Sequence, residues 1–265
     1  MLTPNKLFPA FPMDGEELSR TFFEAIPEDA VKLSDRGYLM DLTDLIILAY
    51  KGNKINPYHN MSHSQVVSLN LLNIFSIEFN AMLNMSLVTV ALLAGMFHDF
   101  NHSGDKTVKD EVNIAVALQG FLKFVESNES LLKNLLDTRK VKRVSSLVHL
   151  PAYSLGLIVN TVKEMIKATR YESPVLGGAG FMHTPTNFFE EAIRDADLMC
   201  NNTVHTPSLR ANLSVELGVP FDATYIKGTF EFLTTAKYFT KTGWWVQSNS
   251  LVSERSQMES LLDLT

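Results

Sequence analysis

Apolar residues recur three and four positions apart along most of the chain, and this spacing predicts α-helices. The segments LMDLTDLIILAY, SQVVSLNLLNIFSIEF and SLVTVALLAGMF are typical, because glycine appears in them only near an end and proline is absent. Further helical segments are residues 16–26, 110–124, 155–170, 187–199, 207–217 and 223–239. No segment alternates apolar and polar residues convincingly, so the sequence predicts an all-α helical bundle of about ten helices.

Two segments lack the helical pattern. Residues 1–13 carry three prolines and are expected to lie as an extended arm across the surface. Residues 171–186, YESPVLGGAGFMHTPT, hold three glycines and two prolines. We interpret them first as a surface loop and second as a mobile loop beside a site, with His183 as a lesser candidate for substrate contact.

Length and charge restrict the number of domains and the kinds of ligand that this chain is expected to have. The chain of 265 residues shows no composition break and predicts a single domain over residues 1–265. Its 29 acidic and 23 basic residues give a net charge of −6, and there is no run of Lys and Arg. This balance argues against binding of long nucleic acid but leaves room for a small anionic ligand in a pocket.

The single cysteine, Cys200, excludes an internal disulfide and suits a reducing compartment, so we expect a cytoplasmic location. The first residues show no signal-peptide pattern. The most apolar stretch, Leu87 to Phe97, is far shorter than the roughly 20 residues that span a bilayer. The sequence therefore predicts neither targeting nor a membrane segment.

Four of the seven histidines fall in two short clusters, which carry the main chemical signal. His59 and His63 are four residues apart and would share one side of a helix that begins near His59. His98 and Asp99 stand together at the end of the most apolar predicted helix, and His102 follows. Buried imidazoles and carboxylates need partners, and a divalent cation satisfies both. The donors favour zinc, manganese or iron(II) at a tight site and magnesium or manganese at a second site that shares a carboxylate.

A further acidic ligand is expected from a later helix, and Asp197 is the preferred residue. Apolar residues flank Asp197, whereas Asp195 follows Arg194 and could simply pair with it. A surface aspartate is the alternative interpretation for either residue. Histidines that stand alone, such as His149 and His205, are interpreted as hydrogen-bonded core residues.

The two clusters resemble the signatures of a known family. NPYHNMSHSQVV, residues 56–67, resembles the Tyr-His-Asn-x-x-His-Ala motif of the class I cyclic nucleotide phosphodiesterases, which are metal-dependent phosphohydrolases of the HD superfamily. AGMFHDFNHSG, residues 94–104, resembles their His-Asp-x-x-His-Pro-Gly motif, with Ser103 in place of proline. Weaker matches follow in the same order at residues 166–170, 196–198, 216–220 and 227–233. The resemblance implies a phosphodiesterase-like helical bundle.

The resemblance also implies roles for individual residues. The tighter metal would be held by His63, His98, Asp99 and Asp197. Asp99 would also bridge to the second metal, and a hydroxide shared by the two ions would attack phosphorus. His59 would be the general acid that protonates the departing 3′ oxygen, and His102 would contact the waters of the second metal.

The chain departs from the family where the family reads the base. Thr229 stands in place of a glutamine that bonds the purine, and its side chain is too short for a bidentate contact. Phe232 occupies the position of the base-stacking phenylalanine, with ordinary core packing as the alternative. Cys200 replaces an asparagine that touches the base, and Asn113 lies near the position of a glutamate that supports the metal site. Asn113, Thr229 and Phe232 are the candidates for substrate binding.

These features predict a phosphodiesterase that hydrolyses a small nucleotide substrate. The substrate would be a 3′,5′-cyclic mononucleotide or, because the chain is short at its C-terminal end, a larger cyclic dinucleotide or oligonucleotide. The alternatives are an HD-type nucleotidase acting on a phosphomonoester, and an inactive nucleotide-binding protein.

The C-terminal residues carry one further prediction. Trp244 and Trp245 are adjacent and would either cap the core or form a homodimer patch; we expect one to be buried and the other partly exposed. Residues 250–264 that follow have the pattern of an amphipathic helix.

Overall fold

The computed structural model describes residues 24–26, 33–79, 83–137, 154–172, 181–182, 184–200 and 206–249. The helices in these ranges are α1 (Leu33–Tyr50), α2 (Met61–Phe79), α3 (Met85–Phe97), α4 (Asp110–Ser127), α5 (Glu129–Asp137), α6 (Leu155–Ala168), α7 (Phe188–Met199), α8 (Thr206–Leu217) and α9 (Ala223–Thr235). Residues 241–249 form a further helix, α10. The all-α prediction is confirmed.

One short antiparallel pair interrupts the helices. In the described part of the chain, the strands are β1 (Tyr171–Glu172) and β2 (Phe181–Met182), and Tyr171 lies opposite Met182. They lie within the segment 171–186, for which we predicted a loop without strands.

Helix α3 forms the centre of the core. Twelve of its thirteen residues are buried, in agreement with its continuous apolar sequence. The helix begins after Asn84, whose side-chain oxygen accepts a hydrogen bond from the backbone N–H of Leu87 at 3.2 Å. Helix α2 packs along α3 and also against α7, so α2 connects the two other helices that carry predicted metal ligands.

The close approach of α2 and α3 depends on a glycine. A Cβ atom at Gly95 would overlap both the backbone and the side chain of Ser68. The Ser68 hydroxyl donates a hydrogen bond to the carbonyl of Ser64, one turn earlier in α2, at 3.0 Å. Glycine at position 95 therefore brings the end of α3, and with it the second histidine cluster, against the first turns of α2.

Helix α9 ends earlier than the predicted boundary at Phe239. Ala236 adopts an extended backbone conformation after Thr235. The backbone N–H groups of Phe239 and Thr240 then donate hydrogen bonds to the carboxylate of Asp195, at 2.7 to 3.1 Å. These contacts with α7 replace the hydrogen bonds that a longer helix would make.

The tryptophan prediction is wrong for one of the two residues. Trp244 and Trp245 are 57% and 59% exposed, so neither is buried. Both lie on α10, a helix that the sequence pattern did not predict.

Several predictions lie outside the described residues. They concern the arm at 1–13, most of the helix predicted at 16–26, the isolated histidines His149, His183 and His205, and the amphipathic segment 250–264. Among the residues that the structure describes, no helix has the length and apolar character needed to cross a membrane.

Candidate metal centre

Three parts of the fold bring the four predicted ligands together. His63 lies in the first turn of α2, and Asp197 lies in the last turn of α7. His98 is the residue that ends α3, and Asp99 follows it. Because α2 packs against both α3 and α7, these side chains converge at one place.

The donor atoms of the four side chains lie within contact distance of one another. His63 Nε2 is 3.2 Å from His98 Nε2, 3.3 Å from Asp99 Oδ2 and 3.2 Å from Asp197 Oδ1. His98 Nε2 is 3.0 Å from Asp99 Oδ2 and 3.9 Å from Asp197 Oδ1. The two histidine side chains are almost fully buried, while those of Asp99 and Asp197 are 15% and 23% exposed. The cluster therefore has a buried imidazole side and a carboxylate side that solvent reaches.

Backbone geometry selects the nitrogen that His98 presents to the cluster. His98 Nδ1 lies 2.8 Å from the carbonyl oxygen of Gly95, which accepts its proton. The proton therefore resides on Nδ1, and Nε2 is left with a lone pair directed at the carboxylates. A hydrogen bond of this kind orients a histidine that ligates a metal.

The charges in the cluster favour a cation. Burial by itself opposes charge on His98, but the neighbouring Asp99 carboxylate outweighs it and raises the pKa of His98. Burial likewise opposes ionisation of Asp99, but the charges of His98 and His59 and two hydrogen bonds hold its pKa well below the usual range. The surroundings thus stabilise negative carboxylates and positive charge between them.

The donor set fits a divalent metal ion. Two ligands that are each about 2.1 Å from one ion are about 3.0 Å apart at a right angle and about 3.4 Å apart in a tetrahedron. The cluster's separations of 3.0 to 3.9 Å are close to these values. Two imidazoles and two carboxylates are the donors that zinc, manganese and iron(II) accept.

A second group of side chains lies beside this cluster and centres on Glu216, at the end of α8. One oxygen of Glu216 accepts hydrogen bonds from the backbone N–H groups of Tyr58 and His59, at 2.8 and 3.0 Å. The other oxygen contacts Nδ1 of His59. Burial would raise the pKa of Glu216, but the hydrogen bonds and charge of His59 lower it to about 2. Glu216 is therefore an anion that holds the His59 ring by Nδ1.

The opposite nitrogen of His59 faces the metal cluster. His59 Nε2 lies 3.8 Å from Asp99 Oδ2, and its side chain is 22% exposed. We expected His59 to lie on the same helix as His63, but α2 begins at Met61. Contact with Glu216, rather than helical periodicity, determines the position of His59.

His102 packs face to face on His59, with ring centroids 3.9 Å apart. Its Nδ1 accepts a hydrogen bond from Gly104 N–H at 3.0 Å, and its Nε2 lies 2.8 Å from the side-chain amide of Asn113. Burial and the charge of His59 lower the pKa of His102 to about 4. His102 is therefore neutral at physiological pH.

The three candidates for substrate binding have partners within the protein. The Asn113 amide contacts His102, and its oxygen accepts the N–H of Ser103 at 3.1 Å. The Thr229 hydroxyl donates to the carbonyl of Tyr225, one turn earlier in α9, at 3.0 Å. Phe232 is partly buried against the core and makes an edge contact with Tyr171. Their role in substrate binding stays a prediction.

Asp195 and Cys200, which lie near Asp197, have contacts that the sequence did not predict. The Asp195 carboxylate accepts hydrogen bonds from the backbone N–H groups of Phe239 and Thr240, just before α10. It also accepts one from the Thr240 hydroxyl, at 2.7 Å. Arg194 lies close enough to lower the pKa of Asp195, but burial dominates and raises it to about 6. Cys200 is buried within reach of His63 and Asp197, and its thiol accepts from Asn70 at 3.7 Å.

Glu216 was the one member of this site that the sequence analysis did not select. It lies in the segment Glu216-Leu217-Gly218-Val219-Pro220, which resembles the phosphodiesterase family and was the available signal. Its contact with His59 joins residues 157 positions apart, which no local pattern predicts.

Comparison with known proteins finds solved structures that are similar to this chain, and two of them are phosphodiesterase domains. No family model matches the chain, and no curated protein matches it. The phosphodiesterase domain of the rhodopsin phosphodiesterase from Salpingoeca rosetta is similar with a TM-score of 0.48 and 15% identity, over 98% of this chain and 88% of that one. A second structure is that of the phosphodiesterase domain of a RhoPDE fusion protein from the same choanoflagellate. It is similar with a TM-score of 0.46 and 16% identity, over 98% of this chain and 92% of that one.

Proposed function

We propose that this protein is a metal-dependent phosphodiesterase that opens the phosphodiester ring of a cyclic nucleotide. The observation that carries the proposal is the convergence of two sets of groups. Four nitrogen and oxygen donors suited to a divalent ion lie together, and an imidazole held by a carboxylate lies 3.8 Å from one of them. Metal-assisted hydrolysis of a phosphodiester uses both sets: the ion activates water, and the imidazole protonates the leaving oxygen.

His63, His98, Asp99 and Asp197 would hold the tighter ion, and Asp99, whose side chain is partly exposed, would also face a second one. When bound, divalent ions neutralise the charge of the phosphoryl oxygens and lower the pKa of a water that attacks phosphorus. His98 contributes to this by donating Nδ1–H to the carbonyl of Gly95, so that the neutral ring offers the lone pair of Nε2 to the ion.

His59 would protonate the oxygen that leaves phosphorus. In a cyclic nucleotide this oxygen departs as an alkoxide, which is a strong base and needs a proton in the transition state. The Glu216 carboxylate accepts a hydrogen bond from His59 Nδ1–H, and its negative charge stabilises the charged imidazole. The second proton of that imidazole resides on Nε2, the nitrogen that faces the metal cluster, and is the one transferred.

We propose that the site discriminates little between the bases of its substrates. The Thr229 hydroxyl is bonded within its own helix, and its side chain is too short to span two atoms of a base edge. Phe232, which is half-buried, would offer a ring face to any base. We therefore infer that cyclic mononucleotides of different bases and larger cyclic nucleotides are the substrates to test.

The test is hydrolysis of a panel of cyclic mono-, di- and trinucleotides and linear nucleotides, with magnesium or manganese added. The wild type is compared with Asp99→Ala, which removes a ligand of the cluster. We expect turnover of at least one cyclic member and its loss in Asp99→Ala. Asp105→Ala is the matched control, because Asp105 is exposed and its carboxylate accepts hydrogen bonds from Thr107.

Other outcomes of the panel would contradict the proposal in different ways. Release of inorganic phosphate from linear mononucleotides alone would establish a phosphomonoesterase. Tight binding of a nucleotide that is recovered unchanged, by protein shown to contain metal, would establish a binding protein. Turnover that persists in Asp99→Ala would exclude the cluster as the site.

A further inference from the structure

We propose that His59, His102 and Glu216 form a second, weaker zinc site, in which Zn²⁺ replaces the proton on Nδ1 of His59. The proposal depends on three side chains that lie beside the four-donor cluster and that include neither its histidines nor its aspartates. The binding of zinc is argued from the positions and chemistry of the donors, and its effect on catalysis rests on the proposed function.

The three side chains bring one donor atom each into proximity. Nδ1 of His59 contacts one carboxylate oxygen of Glu216, and Nδ1 of His102 lies 4.0 Å from the same oxygen. One donor atom from each residue lies within 4.8 Å of the other two. Donors of a tetrahedral zinc ion are about 3.4 Å apart, so changes of about an ångström in these separations would bring all three onto one ion.

The chemistry of the set favours zinc. Two imidazoles and one carboxylate, with a fourth position open, are the ligands of many catalytic zinc ions. Glu216 contributes an anion, because its carboxyl is ionised far below neutral pH. Magnesium prefers oxygen ligands and would not compete for two imidazole nitrogens.

Solvent reaches this position. The side chains of His59 and His102 are 22% and 12% exposed, whereas those of His63 and His98 in the main cluster are 1% and 0% exposed. An ion can therefore enter the second set without disturbing the core.

The second site must bind more weakly than the first. An ion on His102 Nδ1 would break the hydrogen bond that this nitrogen accepts from Gly104 N–H. It would also displace the proton that His59 Nδ1 shares with Glu216. Zinc should thus fill the four-donor cluster first and the second set only in excess.

Occupation of the second set would inhibit the proposed reaction. Zinc on His59 Nδ1 would separate the ring from the Glu216 carboxylate and replace the charge that stabilises the protonated imidazole. The ring would keep its Nε2 proton, but a neutral imidazole bound to zinc is a much weaker acid than protonated imidazole and gives that proton to the leaving oxygen far less readily. Zinc would activate at low concentration and inhibit in excess.

The experiment measures the zinc bound per chain by equilibrium dialysis and atomic absorption, on protein stripped with a chelator and kept in excess magnesium. We expect the wild type to bind one more zinc ion at high than at low free zinc. His102→Phe, which keeps the ring stack but removes both nitrogens, should lose that ion, and Glu216→Gln should lose it as well. Circular dichroism confirms that each variant is folded.

Asp99→Asn is the matched control, because it weakens the four-donor cluster and removes no donor of the second set. It should keep the weaker ion and lose a tighter one. The proposal is overturned if folded His102→Phe and Glu216→Gln bind as many zinc ions as the wild type. Because dialysis needs no substrate, its result is independent of whether the protein hydrolyses any nucleotide.

A second readout follows Co²⁺ in place of Zn²⁺ by visible absorption. Cobalt in a four-coordinate site with two imidazoles absorbs in the visible region, and the added signal should appear only after the main cluster is filled. Its persistence in His102→Phe would also overturn the proposal.

Discussion

Glu216 determines which nitrogen of His59 faces the metal cluster. Its carboxylate accepts hydrogen bonds from Nδ1–H of the ring and from two backbone N–H groups of the same loop. The ring therefore cannot turn without breaking the bond to Nδ1. His98 is oriented in the same way by the carbonyl of Gly95. At the scale of residues, His59 and His98 are thus imidazoles whose tautomers are fixed by a neighbouring acceptor.

Glu216→Gln should lower kcat by about 10- to 100-fold, with little change in KM. Glutamine can accept the two backbone N–H groups but carries no charge to stabilise protonated His59. The measurement is steady-state kinetics on whichever substrate the panel identifies. Glu111→Gln is the control, since Glu111 is an exposed partner of Arg170. An unchanged kcat in Glu216→Gln would contradict the role given to Glu216.

Acid should remove the stabilising contribution of Glu216 to the fold. The pKa of this carboxyl falls from about 4.5 to about 2 on folding, so the folded state is favoured by its ionisation above about pH 4.5 and loses that advantage as the pH falls toward 2. We expect the wild type to exceed Glu216→Gln in free energy of unfolding at pH 5, and the difference to narrow by pH 3. Urea denaturation at each pH measures it. A difference that widens on acidification would contradict this assignment.

At the scale of elements, the contact between α2 and α3 positions the site. Both histidine clusters lie where these helices meet, and Gly95 permits the approach because Ser68 occupies the space of a Cβ atom. Asn70, two residues after Ser68, donates from α2 to the carbonyl of Ala196 in α7 at 2.8 Å. The spacing of three helices therefore determines the distances among the four donors.

Gly95→Ala should destabilise the fold by about 1 to 3 kcal/mol, because the added methyl group overlaps backbone atoms that cannot move aside alone. Metal content should fall as well, since the helix ends carry the ligands. Gly228→Ala is the control: Gly228 lies exposed in α9 with open space around it, and alanine there should stabilise the helix by about 0.5 to 1 kcal/mol. Thermal and urea unfolding measure both. Equal stability of Gly95→Ala and wild type would contradict the close packing.

At the scale of the whole molecule, the segment before α10 packs on the helix that carries Asp197. Four hydrogen bonds from Phe239 and Thr240 reach the Asp195 carboxylate, and Gly243 leaves no room for a side chain beside it. Lys241 N–H donates to Glu78 at the end of α2. The C-terminal part of the described chain thus closes the core around α2 and α7.

Cys200 should report on the opening of this core. Its thiol is fully buried, and burial also raises its pKa, so a thiol reagent should react slowly with native protein. In urea we expect one thiol to react per chain, at the denaturant concentration where circular dichroism shows unfolding. The measurement is reaction with a chromogenic disulfide reagent. Rapid complete reaction in native buffer would contradict the burial of Cys200.

The local sequence predicted most helices and the four donors of the cluster. Apolar spacing is a property of neighbouring residues, and α2, α3, α4 and α7 appear close to their predicted bounds. His63, His98 and Asp99 lie at helix ends that the same pattern defines. A metal site can be predicted in this way because imidazoles and carboxylates at the ends of apolar helices need a partner.

Tertiary structure decided what local patterns do not contain. Glu216 meets His59 across 157 positions, and the end of α9 depends on Asp195, which lies 44 positions before Phe239. The exposure of Trp244 and Trp245 depends on which face of α10 packs, and their own sequence does not show that. Periodicity determines which residues form a helix and which side is apolar. The partner of each polar group is decided only when the helices pack, because hydrogen bonds between distant segments depend on the distances that packing creates.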